Sequence, residues 1–379
     1  MKKLFTLLFL AVGLTAAAQN SARYDHFKEL RNEVDTLGMK QMLDEWGDKD
    51  PEYYSAWANY CTVMAAQTED LTWLDMAVNW VQMGRDEFPD NELLLHKQAE
   101  VLFNNERFQE ALPLLREIEN KGIGDVLTWY RLSLICAGKG DYAQSRKYLA
   151  RMIKEGDEED REYALSVLAD YDEMDRKIDS LAIRPDHAAI KAFSESPAFQ
   201  ELTARFAARD TTLTLNEIAT LYYGSAYHKD YHLVQEQCDD IRQMAGEGKI
   251  KEAVEALNAK LEEYPVSLFL LISLFNLTEG EEMVPYLWKA QQILNVIDCT
   301  GRVNSTEVPF QVICVNDEYL ALNQIFEMSE FKEQALMQGG DIPLDQMTFL
   351  NAYGLEMTVY FRITPPYWEK MNRLFGSND

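Results

Sequence analysis

The sequence predicts a mostly α chain: an α-solenoid of stacked helical hairpins, followed by a helical domain that bears a small antiparallel β-sheet. Three observations predict it. Small and apolar residues recur at a spacing of 34 in the first half of the 379-residue chain. Most of the second half keeps helical spacing of its apolar residues. Beyond residue 300, β-branched and aromatic residues begin to alternate with polar ones.

Taken in order, residues 1–18, "MKKLFTLLFLAVGLTAAA", read as a signal peptide. Lys2 and Lys3 form its basic head, Leu4 to Leu14 its apolar stretch, and Ala16-Ala17-Ala18 a small-residue cleavage site. The apolar run is shorter than the roughly 20 residues that span a bilayer. Cleavage near Ala18-Gln19 leaves no cysteine at the cut, so the expectation is an exported protein of the periplasm or cell envelope that is not a lipoprotein. The whole chain carries a net charge of −27. Such acidity excludes a nucleic-acid reader, which needs a basic footprint, and disfavours anionic membrane surfaces.

Residues 23–47 read as a leading helix pair that caps the stack, and 19–183 as one repeat domain. Within it Ala77, Ala111 and Ser145 share a register, with Leu74, Phe108 and Tyr142 three positions earlier. Upstream, Cys61, Leu95 and Trp129 align, as do Met64, Gln98 and Leu132, and then Ala65, Ala99 and Ser133. One small residue in each helix of a hairpin lets neighbouring helices cross closely, and the large residue three before fills the groove beside it. "NNERF" and "GKGDY" supply turns between antiparallel helices, and "FPDNE" ends one helix and caps the next.

These units, 58–91, 92–125 and 126–159, resemble divergent tetratricopeptide repeats, most clearly at "RFQEAL" (107–112) and "GDYAQS" (140–145). The family's helix A glycine is alanine or serine here, and its terminal proline survives as Pro89. The resemblance implies a concave groove lined by helix A. Its positions here are Thr62, Ala66, His96, Glu100, Phe103, Tyr130 and Leu134, a mixture suited to a protein or peptide partner. The alternative is that the groove is buried internally. Residues 161–181 read as a trailing amphipathic helix, and "IRPDHAAIKAFSESPAF" marks a boundary.

The second domain, 184–379, opens with helices. "GKIKEAVEALNAKLEEYP" places Ile250, Ala253 and Pro265 at repeat-like offsets, and "VSLFLLISLFNL" (266–277) is a buried helix. Residues 309–315, "LDQMTFLN" and "EMTVYFRIT" then read as strands of an antiparallel sheet. The last two turn at Gly354, with Met357, Val359, Phe361 and Ile363 on one buried face. Pro365-Pro366 ends the last strand, and a short helix follows.

In that order, "LYYGSAYHKDY", "AVEALNAKLEEYP", the Gly301 loop, "FQVICVNDEY", "EQAL" and "VYFRIT" carry a second resemblance. Over 195–375 the chain resembles the exported bacterial family catalogued as domain of unknown function 4919. The resemblance implies a compartment and an architecture but no chemistry. Tyr222, Tyr223, Gly224, Asp317, Glu318, Tyr319 and Gln334 match its motifs without known roles.

No catalytic residue, cofactor or metal site is assigned. Asp317 and Glu318 are adjacent, so neither strand nor helix geometry aims them at one point. Asn316 or Asp317 is expected to cap the helix that follows. His228 and His232 stand four apart with Cys238 beyond, but the glutamate of a zinc-protease motif is missing. Cys299 and Cys314 are the pair closest to a disulfide expectation, while the odd count of five cysteines leaves at least one unpaired. The functional expectation is an exported, non-catalytic interaction or scaffold module. The alternatives are an enzyme of unrecognised class, with its site in the C-terminal domain, and a glycan- or nutrient-binding surface protein.

Overall fold

The computed structural model describes residues 22–227, 238–338 and 340–375. They form helices with one small sheet, in two compact units. One unit comprises the chain up to Asp172 with Tyr353–Leu355; the other comprises Glu173–Ala352 with the chain from Glu356. The signal-peptide segment, His228 and His232 lie outside the described residues.

The first unit begins with the expected pair, α1 (Ala22–Asn32) and α2 (Thr36–Asp44). Three hairpins follow: α3 (Pro51–Thr68) with α4 (Thr72–Glu87), α5 (Glu92–Asn104) with α6 (Phe108–Asn120), and α7 (Val126–Gly138) with α8 (Tyr142–Glu155). A long helix, α9 (Glu158–Leu181), continues the chain. Local chemistry sets the starts. The Asp50, Asn91 and Asp141 side chains accept from the backbone N–H three residues on, and Asp125 and Thr128 form a reciprocal capping box. Most of the residues in the 34-residue register are buried, while Met64, Gln98 and Tyr142 are half-buried. Cys61, Leu95, Trp129, Ala77, Ala111 and Ser145 are all at most 1 % exposed. Close helix crossing therefore explains the repeat.

The second unit packs α10 (His187–Ser194), α11 (Pro197–Ala207), α12 (Leu215–Ser225), α13 (Asp239–Gly246), α14 (Ile250–Glu263), α15 (Leu268–Leu277) and α16 (Val284–Asp298) around one core. The apolar run 266–277 is indeed a buried helix, with Leu268, Leu270, Leu271 and Leu274 fully enclosed. Strand β1 (Phe310–Val312) leads into α17 (Val315–Gln324). Then come β2 (Met328–Met337), β3 (Leu344–Asn351), β4 (Glu356–Ile363) and α18 (Pro365–Phe375).

The sheet order is β1-β4-β3-β2. It is mixed, which corrects the antiparallel expectation: β3 pairs antiparallel with both β2 and β4, whereas β1 lies parallel to β4, with Phe310 opposite Phe361. A crossover through α17 and the β2–β3 hairpin separates β1 from β4, and only such a long connection permits a parallel pair. The expected buried face of β4 is present, with Met357, Val359 and Phe361 inside. Strand β2 had no sequence signal because it is an edge strand exposed along nearly its whole length, so no face is patterned. Register irregularities interrupt its pairing between Met328 and Glu330 and again between Phe331 and Glu333.

Candidate functional site

The family-like motif residues of the second unit come together around the start of α17. Strand β1 ends at Val312, two residues cross over, and α17 begins with Cys314 as its N-cap. This corrects the expectation of an Asn316 or Asp317 cap. Asp317 and Glu318 stand in the first turn and are 2 % and 0 % exposed, turned into the protein instead of back onto the helix end.

The two acids do point apart, and each meets a different partner. The Tyr222 hydroxyl, brought by α12, donates to Asp317 Oδ2 at 2.7 Å and accepts from the Ile313 N–H at 3.2 Å. Burial pushes the Asp317 carboxyl up to about 6, while hydrogen bonds from Tyr222 and the Cys314 thiol oppose the rise. Cys314 is thus engaged with Asp317, and all five cysteines are free thiols, Cys299 and Cys314 included. Tyr223 donates to the Gln311 carbonyl at 2.9 Å, and the His187 ring meets it edge-on at 5.8 Å. Gly224 is glycine for space, since a Cβ there would lie 2.5 Å from the Phe199 ring.

Glu318 turns the other way, toward Asp345 on β3. Among the described residues, no N–H or O–H donor reaches either Glu318 oxygen, nor Asp345 Oδ1. The two carboxyls interact with each other, and both are raised: Glu318 well above its usual range by burial first and then by Asp345, and Asp345 mainly by burial. Gln334 of β2 donates its amide to Asp345 Oδ2, and the Tyr319 hydroxyl donates to Gln334 Oε1 at 2.7 Å. Tyr319 also lies over Phe331 of β2, with ring centroids 5.7 Å apart. The chain of groups Glu318–Asp345–Gln334–Tyr319 therefore runs from the core to the exposed edge strand. Sequence reasoning missed Asp345. The available signal was an acid in "LDQMTFLN" sharing the strand parity of Met347 and Phe349, both of which are buried.

In the first unit, the groove positions have mixed fates. Thr62 donates to its own helix at the Ala58 carbonyl, 2.9 Å away. Phe103 is a core residue at 4 % exposure, edge-on to Phe108 at 5.2 Å, so it offers no groove surface. Tyr130 packs edge-on to Tyr163 at 5.5 Å, and Leu134 is half-buried against the core. Ala66 is exposed. Burial pulls the half-buried His96 below the usual imidazole range.

Glu100 belongs to an ion cluster. Lys97 Nζ donates to Glu100 Oε2 at 2.8 Å and to Asn59 Oδ1 at 2.8 Å, and Arg131 Nη2 lies 3.7 Å from Glu100 Oε2. The Lys97 and Arg131 side chains are 7 % and 8 % exposed, and Glu100 is 23 % exposed. Burial alone would raise Glu100, but Lys97 and then Arg131 outweigh it and hold the carboxyl down to about 2. Burial draws the Lys97 ammonium below its usual range, with Glu100 opposing. Asn59 continues the network to the Tyr24 hydroxyl at 3.4 Å, which meets Ser55 Oγ at 2.5 Å.

Among the described residues, no group of three or more His, Cys, Asp or Glu could hold a metal ion. Cys238 is fully buried at the N-terminus of α13. Among the same residues no helix is long and apolar enough to cross a membrane. The family model described as Domain of unknown function (DUF4919) matches residues 185–372, the half in which the sequence motifs placed that resemblance. No curated protein matches the chain.

Proposed function

We propose that the chain is an exported, non-catalytic interaction module that works in the periplasm or cell envelope after cleavage near Ala18-Gln19. On this reading the first unit is a divergent tetratricopeptide-like stack. Its helix A faces, at Thr62, His96, Tyr130 and Leu134, take an extended partner segment that presents a carboxylate.

The observation that carries the reading is the ion cluster. In a chain of net charge −27, two nearly buried cations, Lys97 and Arg131, share the single carboxylate of Glu100. A cluster with positive charge in surplus, to which Arg31 also contributes through Glu100 and Asn59, attracts a further anion, and side-chain carboxylates or a chain terminus supply it. The test is photo-crosslinking from Thr62, His96 and Tyr130 in the native cell envelope, with the crosslinked species read by mass spectrometry. A reproducible protein partner that is lost in Lys97→Met supports the module. A folded, exported chain that retains no partner under conditions preserving known envelope complexes overturns it. The mass of the mature N-terminus checks export in the same sample.

One observation favours a second reading, an enzyme with its site in the C-terminal half. Glu318 and Asp345 are a facing carboxyl pair, and carboxyls with displaced pKa values are the usual equipment for acid–base work.

A further inference from the structure

Three oxygens in the second unit pose a specific problem. Glu318 Oε1, Glu318 Oε2 and Asp345 Oδ1 are buried, and none receives a hydrogen bond from an N–H or O–H group among the described residues. The remaining Asp345 oxygen is already taken by Gln334.

Among the described residues, no cation is seen to contact the pair: on β4, which pairs with β3, Phe361 stands opposite Asp345, so Glu356, Tyr360 and Arg362 lie on the other face of the sheet. Of the elements packed on α17, α15 and β1 carry no titratable residue. On α16, Lys289 is influenced by Arg209 and Asp298 acts on Cys299. On β2, Lys332 pairs with Glu330, and Glu333 faces solvent. From α17 itself come Asp317, which adds repulsion, and Tyr319, whose hydroxyl is engaged with Gln334. Two ionised carboxylates cannot rest against each other in such a place, whereas a carboxylic acid and a carboxylate can, joined by one strong hydrogen bond.

We propose that Glu318 and Asp345 hold a single proton between them, and that this proton latches α17 to the β2–β3 hairpin. The latch is mechanical because its other end is the edge strand: Asp345 is tied to Gln334, and Gln334 to Tyr319 of α17. With the proton in place, helix and hairpin are joined through two routes. When the proton leaves, like charges face each other and the contact opens from the Asp345 end of β3. The strand ends that loosen, Gln334–Met337 of β2 and Leu344–Met347 of β3, include the regularly paired half of β2 and the exposed Leu336. Alkaline conditions therefore free the hairpin from α17, a contact that neutral conditions hold closed. Because the pair lies within the family-matched half, this inference stands independently of the groove in the first unit.

The test has two readouts on the full mature chain. Infrared difference spectra at pH 8, taken in an Asp317→Asn background, read the protonated carboxyl directly. Its carbonyl band is expected in the parent and absent in both Glu318→Gln and Asp345→Asn. Hydrogen exchange of residues 328–347, corrected for intrinsic rate and referenced to α14, then reads the latch. Protection is expected to drop about tenfold or more between pH 6 and pH 10 in the wild type, and to stay constant in Glu318→Gln, whose amide donates as the acid does. Asp345→Asn supplies the same donor from the opposite side, so a folding defect in one variant leaves the other informative. An Asp317→Asn parent without the carboxyl band overturns the shared proton. A band accompanied by pH-independent protection, or a Glu318→Gln protein that loosens like the wild type, overturns the latch.

Discussion

Replacing Asp317 by asparagine should remove a defined part of the pH dependence of the second unit. Asp317 is 2 % exposed, and its pKa rises from 3.8 to about 6 on folding, chiefly through burial. At about 1.4 kcal/mol per unit, that rise corresponds to about 3 kcal/mol. The sign follows from proton uptake. Between the unfolded and folded pKa values the native state binds more protons than the unfolded state, so stability falls as pH rises through the window. From Asp317 alone, the wild type is expected to be about 3 kcal/mol less stable above pH 6 than below pH 4. The asparagine side chain still accepts from the Tyr222 hydroxyl but carries no charge, so the variant lacks this component. Urea unfolding from pH 4 to pH 7, read by pulsed hydrogen exchange on α12 and α17, measures the difference between the two proteins. Glu318 and Asp345 tilt both curves in the same direction, and loss of the Asp317 charge also relieves the repulsion on Glu318, which adds to the difference in the same sense. A wild-type-minus-variant difference that stays constant within about 0.5 kcal/mol, the usual additivity error, refutes the burial argument.

Three further outcomes follow from other contacts. Glu100→Gln leaves Lys97 and Arg131 without their shared carboxylate, and thermal unfolding of the first unit followed by tryptophan fluorescence should show a loss of about 3 kcal/mol at pH 7. Because the Glu100 pKa is held down to about 2, the wild-type advantage should persist above the ordinary glutamate range and fade as acid approaches pH 2. Tyr222→Phe deprives both Asp317 and the Ile313 N–H of a partner, and should cost about 2 kcal/mol in denaturant titration while driving the Asp317 pKa further upward. Gly301→Ala should destabilise by about 2 kcal/mol or more, since its Cβ would stand 2.5 Å from the Phe310 backbone nitrogen, and a thermal melt showing no loss would contradict that close approach.

Helical periodicity made most of the fold legible. The small positions aligned at 34-residue spacing, Ala77, Ala111 and Ser145 with Ala65, Ala99 and Ser133, are buried, because helix crossings impose a size limit that a single sequence displays by repeating it. The patterned strand β4 was equally visible, with Met357, Val359 and Phe361 inside. Strand β2 was not: an edge strand with two register irregularities and solvent along its length leaves no alternation to read. The parallel pairing of β1 was hidden for a different reason, since three residues carry no statement of direction. In the site, chain-local geometry correctly separated the side chains of Asp317 and Glu318. Their partners, Tyr222 and Asp345, come from elsewhere in the chain, and pairing across that distance is a property of the fold alone. Among the residues expected on helix A faces, register placed Phe103 without revealing that it turns into the core.

The short passage from β1 to α17 acts as a phase lock. Ile313 and Cys314 alone separate the last strand residue from the first helical one. A single inserted residue would turn the following helix by about 100 degrees relative to the strand. Asp317 would leave Tyr222, Glu318 would leave Asp345, and each acid would face apolar core. Conservative changes of side chain are tolerable in this passage, whereas changes of length are not. Engineering that inserts tags, loops or reporter domains should therefore avoid residues 312–315, however ordinary the connection looks, and use the exposed turn around Gly280 instead.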